Sequence, residues 1–126
     1  MDLLEPCPCG SGAAFGQCCQ PFIAKIAIPA TAEALMRSRY TAYVVLDADY
    51  LLTTWHPTTR PKQLQLNPAQ RWLGLKIKST NRGGVDDHEG EVTFAARYKI
   101  DGRGHRLDEH SQFVCEEGRW FYLRGC

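Results

Sequence analysis

Apolar and polar positions follow two periods along this chain, helical in the first half and alternating in the second. From Thr31 onward, Met36, Tyr40, Tyr43 and Val44 recur at helical spacing, with Leu35, Ala42 and Leu46 alongside. Thr31 is a suitable N-cap, and Glu33 in the first turn suits the positive end of a helix dipole. Asp47-Ala48-Asp49 caps a second, short helix carrying Tyr50, Leu51, Thr54 and Trp55, which Pro57 ends. Asn67-Pro68, a cap followed by proline at the first helical position, predicts a third helix through Trp72 and Leu73, stopped by Gly74.

Beyond Gly74 the period becomes two. A strand near Leu75–Thr80 comes first. Val92, Phe94, Ala96, Tyr98 and Ile100 then alternate against Glu91, Thr93, Arg97 and Lys99. Asp101-Gly102-Arg103-Gly104 reads as a turn, and the next strand puts Leu107, Glu109, Ser111, Phe113 and Cys115 on one face. Glu117-Gly118 turns again into Arg119-Trp120-Phe121-Tyr122-Leu123. Helices followed by a four-stranded meander predict an α+β domain, with the helices against one face of a curved antiparallel sheet.

The first 20 residues obey neither period. Four of the six cysteines lie there, as Cys7-Pro8-Cys9 and Cys18-Cys19, the spacing C-x-C-x8-C-C. Such a set can close four sulfurs around one tetrahedral ion, for which zinc is the default. Gly10-Ser11-Gly12 between the pairs can turn backbone N–H groups toward the sulfurs. A disulfide framework fits less well: Cys18 and Cys19 are adjacent, the cysteines are not spread through the chain, and no signal peptide is evident. The expected organisation is a zinc knuckle over 1–20, a connector over 21–30 bracketed by Pro21 and Pro29, and the α+β domain over 31–126.

Charge narrows the partners. Fifteen Lys and Arg against 14 acids give a net charge of +1, and no apolar run approaches the length of a membrane span. No Lys or Arg precedes Lys25, and four thiolates on Zn²⁺ carry a formal charge of minus two. The knuckle is therefore expected to be anionic, which disfavours phosphate backbones and acidic partners. Cytoplasmic residence is the expectation, from cysteines read as metal ligands. Cys115 and Cys126 are expected to be ordinary thiols, one in a strand and one at the chain end.

Cys7-Pro8-Cys9-Gly10-Ser11-Gly12, Phe15 and Cys18-Cys19 together resemble the SEC-C motif, the zinc knuckle at the C-terminus of the preprotein-translocase ATPase SecA. In that motif the positions matching Cys7, Cys9, Cys18 and Cys19 bind zinc, and in the translocase the knuckle serves protein interaction. The lysines of translocase knuckles are missing here. A second resemblance covers most of the chain. Leu35-Met36-Arg37-Ser38-Arg39-Tyr40, Asp47-Ala48-Asp49-Tyr50-Leu51, Thr54-Trp55-His56-Pro57 and Glu117-Gly118-Arg119-Trp120-Phe121-Tyr122 are similar to the bacterial YchJ family. That resemblance implies a SEC-C knuckle joined to a cone of the nuclear transport factor 2 or ketosteroid isomerase type, and it implies no particular activity.

A cone of this kind can hold a pocket at its open end. Glu109 and Ser111 share a strand face with Leu107 and Phe113, and an acid facing the core needs a partner. Arg39 or Arg37 is the expected one, because guanidinium and carboxylate match as a fork. In the functional reading these residues bind a small anionic or polar ligand lined by Tyr43, Trp55, His56 and Trp120. In the plainer reading they form an internal salt bridge tying helix to sheet. His56 reads as a helix end rather than a base, and no base–oxyanion pair is legible. The expected role is therefore an interaction module, with the knuckle engaging a protein partner. An isomerase- or dehydratase-like enzyme is the alternative.

Overall fold

Residues 2–125 are described by a computed structural model; Cys126 lies outside them. The helices form where a cap starts them. Helix α1 (Gln20–Ile23) follows the knuckle directly, so the stretch expected to be a plain connector begins as a helical turn with Pro21 in its first positions. Helix α2 (Ala32–Val44) is capped as its sequence predicts, with the Ala34 N–H donating to Thr31 Oγ1 at 3.1 Å. Helix α3 (Ala48–Thr53) is capped in the same way by Asp47 Oδ1, which accepts from the Tyr50 N–H at 3.0 Å. It stops before Trp55, which instead forms a parallel bridge to Tyr122 in the last strand. That bridge satisfies the backbone that a longer helix would have used.

Strands β1 (Arg71–Arg82), β2 (Glu89–Ile100), β3 (Arg103–Glu116) and β4 (Arg119–Gly125) form one antiparallel sheet in the order β1-β2-β3-β4. Two hairpins close on Asp101-Gly102 and Glu117-Gly118, and all four residues have φ between 52° and 79°. That pair of positive φ values marks the type I′ turn, whose twist matches the strands it joins. The inward face of β2 pairs with that of β3 as the alternation predicts: Val92 with Ser111, Phe94 with Glu109, Ala96 with Leu107. Leu35, Met36 and Tyr40 of α2 pack on this face with Val92, Phe94, Phe113 and Trp120.

The helix expected over 67–73 does not form. Asn67 Oδ1 accepts from the Ala69 N–H at 2.9 Å, and the Gln70 N–H bonds back to Asn67 O at 3.0 Å. Asn-Pro thus opens a single turn, a role it shares with helix starts. From Arg71 the chain is β1, because Trp72 finds partners there. It stands opposite Tyr98 and packs edge-on against Tyr40, with ring centroids 5.7 Å apart.

The far end of the β1–β2 hairpin seats the start of α2. Gly83 O accepts from the Ala32 N–H at 2.9 Å, and Gly90 lies so close to Gly83 that an added Cβ would meet its Cα at 2.4 Å. Gly90→Ala is therefore expected to destabilise by about 1–3 kcal/mol through forced separation of the backbones. Urea unfolding checks this, and an unchanged midpoint would mean that the hairpin end yields freely.

Candidate metal centre and cavity

The knuckle is built so that its sulfurs converge. An isolated bridge between Pro6 and Ala14 and a Cys7 N–H to Ala13 O bond of 2.9 Å close a loop around Gly10-Ser11-Gly12. Gly10 and Gly12 sit at φ 78° and 91°, open only to residues that tolerate the left-handed region. A 3-10 turn over Phe15–Gln17 then delivers Cys18 and Cys19 to the same point. The four Sγ atoms lie within 4.8 Å of one another, with Cys9 and Cys18 at 3.6 Å and Cys18 and Cys19 at 4.0 Å. Tetrahedral sulfurs on bonds of about 2.3 Å stand roughly 3.8 Å apart, so the set fits a four-coordinate ion.

Their protonation shows the strain of four thiols in that space. The Cys19 thiol donates to Cys9 and, against the effect of burial, lowers it to about 4. Cys19 is raised in return by its bond to Cys9 and by burial, and burial pushes Cys18 up to about 11. The thiolate at Cys9 suppresses ionisation of Cys18 and Cys19, and a divalent cation relieves that suppression. Ser11 Oγ, 3.0 Å from Cys18 Sγ, is placed to donate to that sulfur. With the SEC-C spacing, this cluster marks a metal site.

The site faces inward. Cys7, Cys9 and Cys19 are buried in one cluster with Leu35, Met36 and Phe113. Arg37 reaches from α2 to donate from Nη1 to Cys9 O at 2.8 Å, and Glu33 Oε2 holds its Nε at 3.0 Å. Thr41 Oγ1 lies 3.8 Å from Cys7 Sγ. Arg37, expected at the pocket, therefore belongs to the metal loop.

The other expected pocket residues separate. Arg39, Tyr43, Trp55 and Glu109 share one cavity of about 340 Å³ between α2 and the sheet, with Gln70, Trp72, Leu107 and Tyr122 among the other residues of its wall. Trp72 and Gln70 were hidden by the helix expected there. His56 lies outside it: Nε2 is 3.1 Å from Glu116 Oε2 and Nδ1 is 2.7 Å from Thr58 Oγ1. Ser111 is fully buried and donates to Glu109 Oε2 at 2.6 Å. Trp120 faces a different cavity of about 260 Å³, lined by Phe22, Ile28 and Tyr50, and its Nε1 donates to Ala30 O at 3.1 Å.

The expected Arg–Glu fork is absent. Arg39 is 3% exposed, yet its Nη1 bonds neutral oxygens, Leu51 O and Thr54 Oγ1, both at 2.7 Å. Its guanidinium carbon lies 4.6 Å from the Tyr122 ring centroid and 5.1 Å from that of Trp55. Burial lowers its pKa to about 10, while surrounding tyrosines and Glu109 pull the other way. Glu109 instead leans over β4, where a Cβ on Gly125 would meet its Oε1 at 2.7 Å. Glycine at 125 keeps that place open. The Trp55 indole Nε1 is buried without a hydrogen-bond partner, the one such side-chain atom among the described residues. The cavity thus presents a cation, an anion not paired with it, and a largely apolar wall.

No helix among the described residues is long and apolar enough to cross a membrane. The SEC-C motif matches residues 5–21, and the description "YchJ, middle NTF2-like domain" matches residues 31–125. A UPF0225 protein of Ralstonia nicotianae is 50% identical over 131 residues, covering 94% of this chain and 89% of its own. One from Streptomyces coelicolor is 49% identical, covering 95% and 94%. The solution structure of a SEC-C motif containing protein from Rhodopseudomonas palustris superposes with a TM-score of 0.84 at 33% identity, over 97% of this chain and 98% of that one. A crystal structure from Psychrobacter arcticus, also of a SEC-C motif containing protein, gives 0.78 at 25% identity, over 97% and 82%. With its four-cysteine cluster, its α+β meander and these matches along nearly its whole length, the chain belongs to the UPF0225 family, a SEC-C knuckle joined to a YchJ-type NTF2-like domain.

Proposed function

We propose that this chain is a cytoplasmic zinc-braced binding protein whose cone takes up a small molecule. Zinc is the metal that an all-thiolate tetrahedral set selects under reducing conditions. Its role is structural, since all four positions are filled by sulfur and none is left open for a substrate. The inward packing of the knuckle favours a brace over an adaptor: the sulfurs touch α2 rather than presenting themselves to a partner.

The observation that carries the ligand reading is Arg39, a buried guanidinium without a carboxylate, in the wall of a cavity that also holds Glu109. A volume of about 340 Å³ falls in the range of small-molecule sites, roughly 300–1,000 Å³. The cavity already contains one charge of each sign, so a net-neutral ligand adds no uncompensated charge to a poorly solvated space. We therefore assign it an amphoteric molecule with an apolar body, its acidic end at Arg39 and its basic end at Glu109.

Three probes with a common ring test this by the fluorescence of Trp55 and Trp72: phenylalanine, phenylpropionate and phenethylamine. Phenylalanine is expected to bind at least about tenfold tighter than either singly charged analogue, an advantage near 1.4 kcal/mol. Arg39→Met should remove that binding and lower the melting temperature by only a few degrees, because the bonds to Leu51 O and Thr54 Oγ1 are lost together with the cost of burying an unpaired charge. If the variant instead unfolds at much lower temperature, Arg39 is a structural tie. Absence of binding by all three probes would count against the cavity as their site. Metal content is measured separately, with one zinc per chain expected.

A further inference from the structure

The sequence has no basic run, but the sheet assembles a basic face from residues that are far apart along the chain. In the β1–β2–β3 register, Arg71 stands opposite Lys99, Arg97 opposite Arg106, and Lys76 opposite Ala95. All lie on the face turned away from α2, because the alternate positions Trp72, Tyr98 and Phe94 face inward. Lys78 joins them through its Nζ, 2.8 Å from Asp108 Oδ1 on the same face. Six of the 15 Lys and Arg thus share one end of this face. Asp108 is the acid among them, and it takes both Lys78 and Arg106. Arg71, Lys76, Arg97 and Lys99 make no ion pair among the described residues.

Like charges directly opposite one another in a sheet destabilise it. Arg71–Lys99 and Arg97–Arg106 are two such pairs, side by side on β2. A polyanion laid across them converts that repulsion into attraction. We propose that this outer face binds the phosphodiester backbone of single-stranded nucleic acid, without reading its sequence.

Two features favour a nucleic acid over an acidic protein segment. A stable protein interface has an apolar centre, and here Gly74 and Ala95 separate the cations while exposed Leu73 sits at the β1 bulge. Phosphate binding needs no such centre, since its free energy comes from released counterions. The geometry fits as well: same-face residues along a strand repeat at about 6.8 Å, close to the phosphate step of an extended single strand. The aromatic residues of β1 and β2 are on the other face, so bases have no ring to stack on and the contact is sequence-tolerant. This site is independent of the metal and of the cavity.

The test is fluorescence anisotropy of a labelled oligouridylate with the intact, metal-loaded chain. With about five phosphates neutralised, affinity should fall roughly 100-fold between about 50 and 200 mM salt. Arg97→Glu with Lys99→Glu should weaken binding at least about tenfold at low salt and make the salt dependence shallower. Arg82→Glu with Arg119→Glu, an equal charge change at the opposite end of the sheet, should leave it nearly unchanged. Equal losses in the two double variants would reduce the effect to net charge and overturn the assignment to this face. Labelled oligoglutamate binding as tightly as the nucleic acid would overturn the ligand class, and no binding at low salt would overturn the proposal altogether. Circular dichroism of each variant verifies the fold, which exposed positions on this face should leave intact.

Discussion

Cys9→Ser, like removal of the metal by a chelator, should lose this protein most of its folding free energy. A structural zinc contributes on the order of 10–16 kcal/mol of apparent binding free energy, comparable with the entire stability of an ordinary domain. The loss should not stop at the knuckle. Cys7, Cys9, Phe15 and Cys19 belong to the same buried cluster as Leu35, Met36 and Phe113, and Arg37 and Thr41 of α2 contact the cysteine loop. Thermal unfolding with and without chelator should show a fall of tens of degrees. Hydrogen exchange should show α2 losing protection together with residues before Pro21. Protection lost only before Pro21 would make the knuckle a dispensable appendage, and an unchanged metal content in Cys9→Ser would refute the ligand assignment.

Trp120→Ala should be the most damaging single substitution outside the metal site, at about 3–5 kcal/mol. The indole is 4% exposed and packs in the main cluster, on β4 opposite Cys115. It also ties the connector to the sheet, because its Nε1 donates to Ala30 O just before α2 begins. Trp120→Phe separates the two contributions. It keeps most of the packing and leaves Ala30 O without its donor, for a cost of about 1–3 kcal/mol. Urea denaturation measures both. Equal losses in the two variants would assign the effect to the hydrogen bond, and a small loss in Trp120→Ala would show that the core closes over the gap.

The sequence made the fold legible wherever a local rule decided it. Thr31 and Asp47 cap helices because their side-chain oxygens reach the next turn, and Asp101-Gly102 and Glu117-Gly118 make hairpins because glycine accepts the positive φ that a two-residue turn also imposes on its neighbour. Asn67-Pro68 misled because the same dipeptide opens helices and turns, and only the aromatic partners of Trp72 decide between them. The four cysteines were legible from spacing alone, while the Pro6–Ala14 bridge and the 3-10 turn over Phe15–Gln17 bring their sulfurs together. The cavity was legible only in part. Alternation placed Glu109 on the inner face, but whether it meets Arg39 depends on helix position over the sheet, and here Ser111 and the space above Gly125 take it instead. The basic face was not legible at all, since it exists only in the register of three strands.

Helix α2 gives the two halves of the molecule a common lever. Arg37 and Thr41 answer to the cysteine loop, while Arg39 and Tyr43, on the same three turns, answer to the cavity. A rigid rod cannot settle against one without setting its position at the other. For the ligand proposed for the cavity, any coupling that α2 carries to the metal is reciprocal, each changing the other's affinity by the same factor. An oxidant that strips the sulfurs of their ion would then alter the binding of the proposed ligand without touching it.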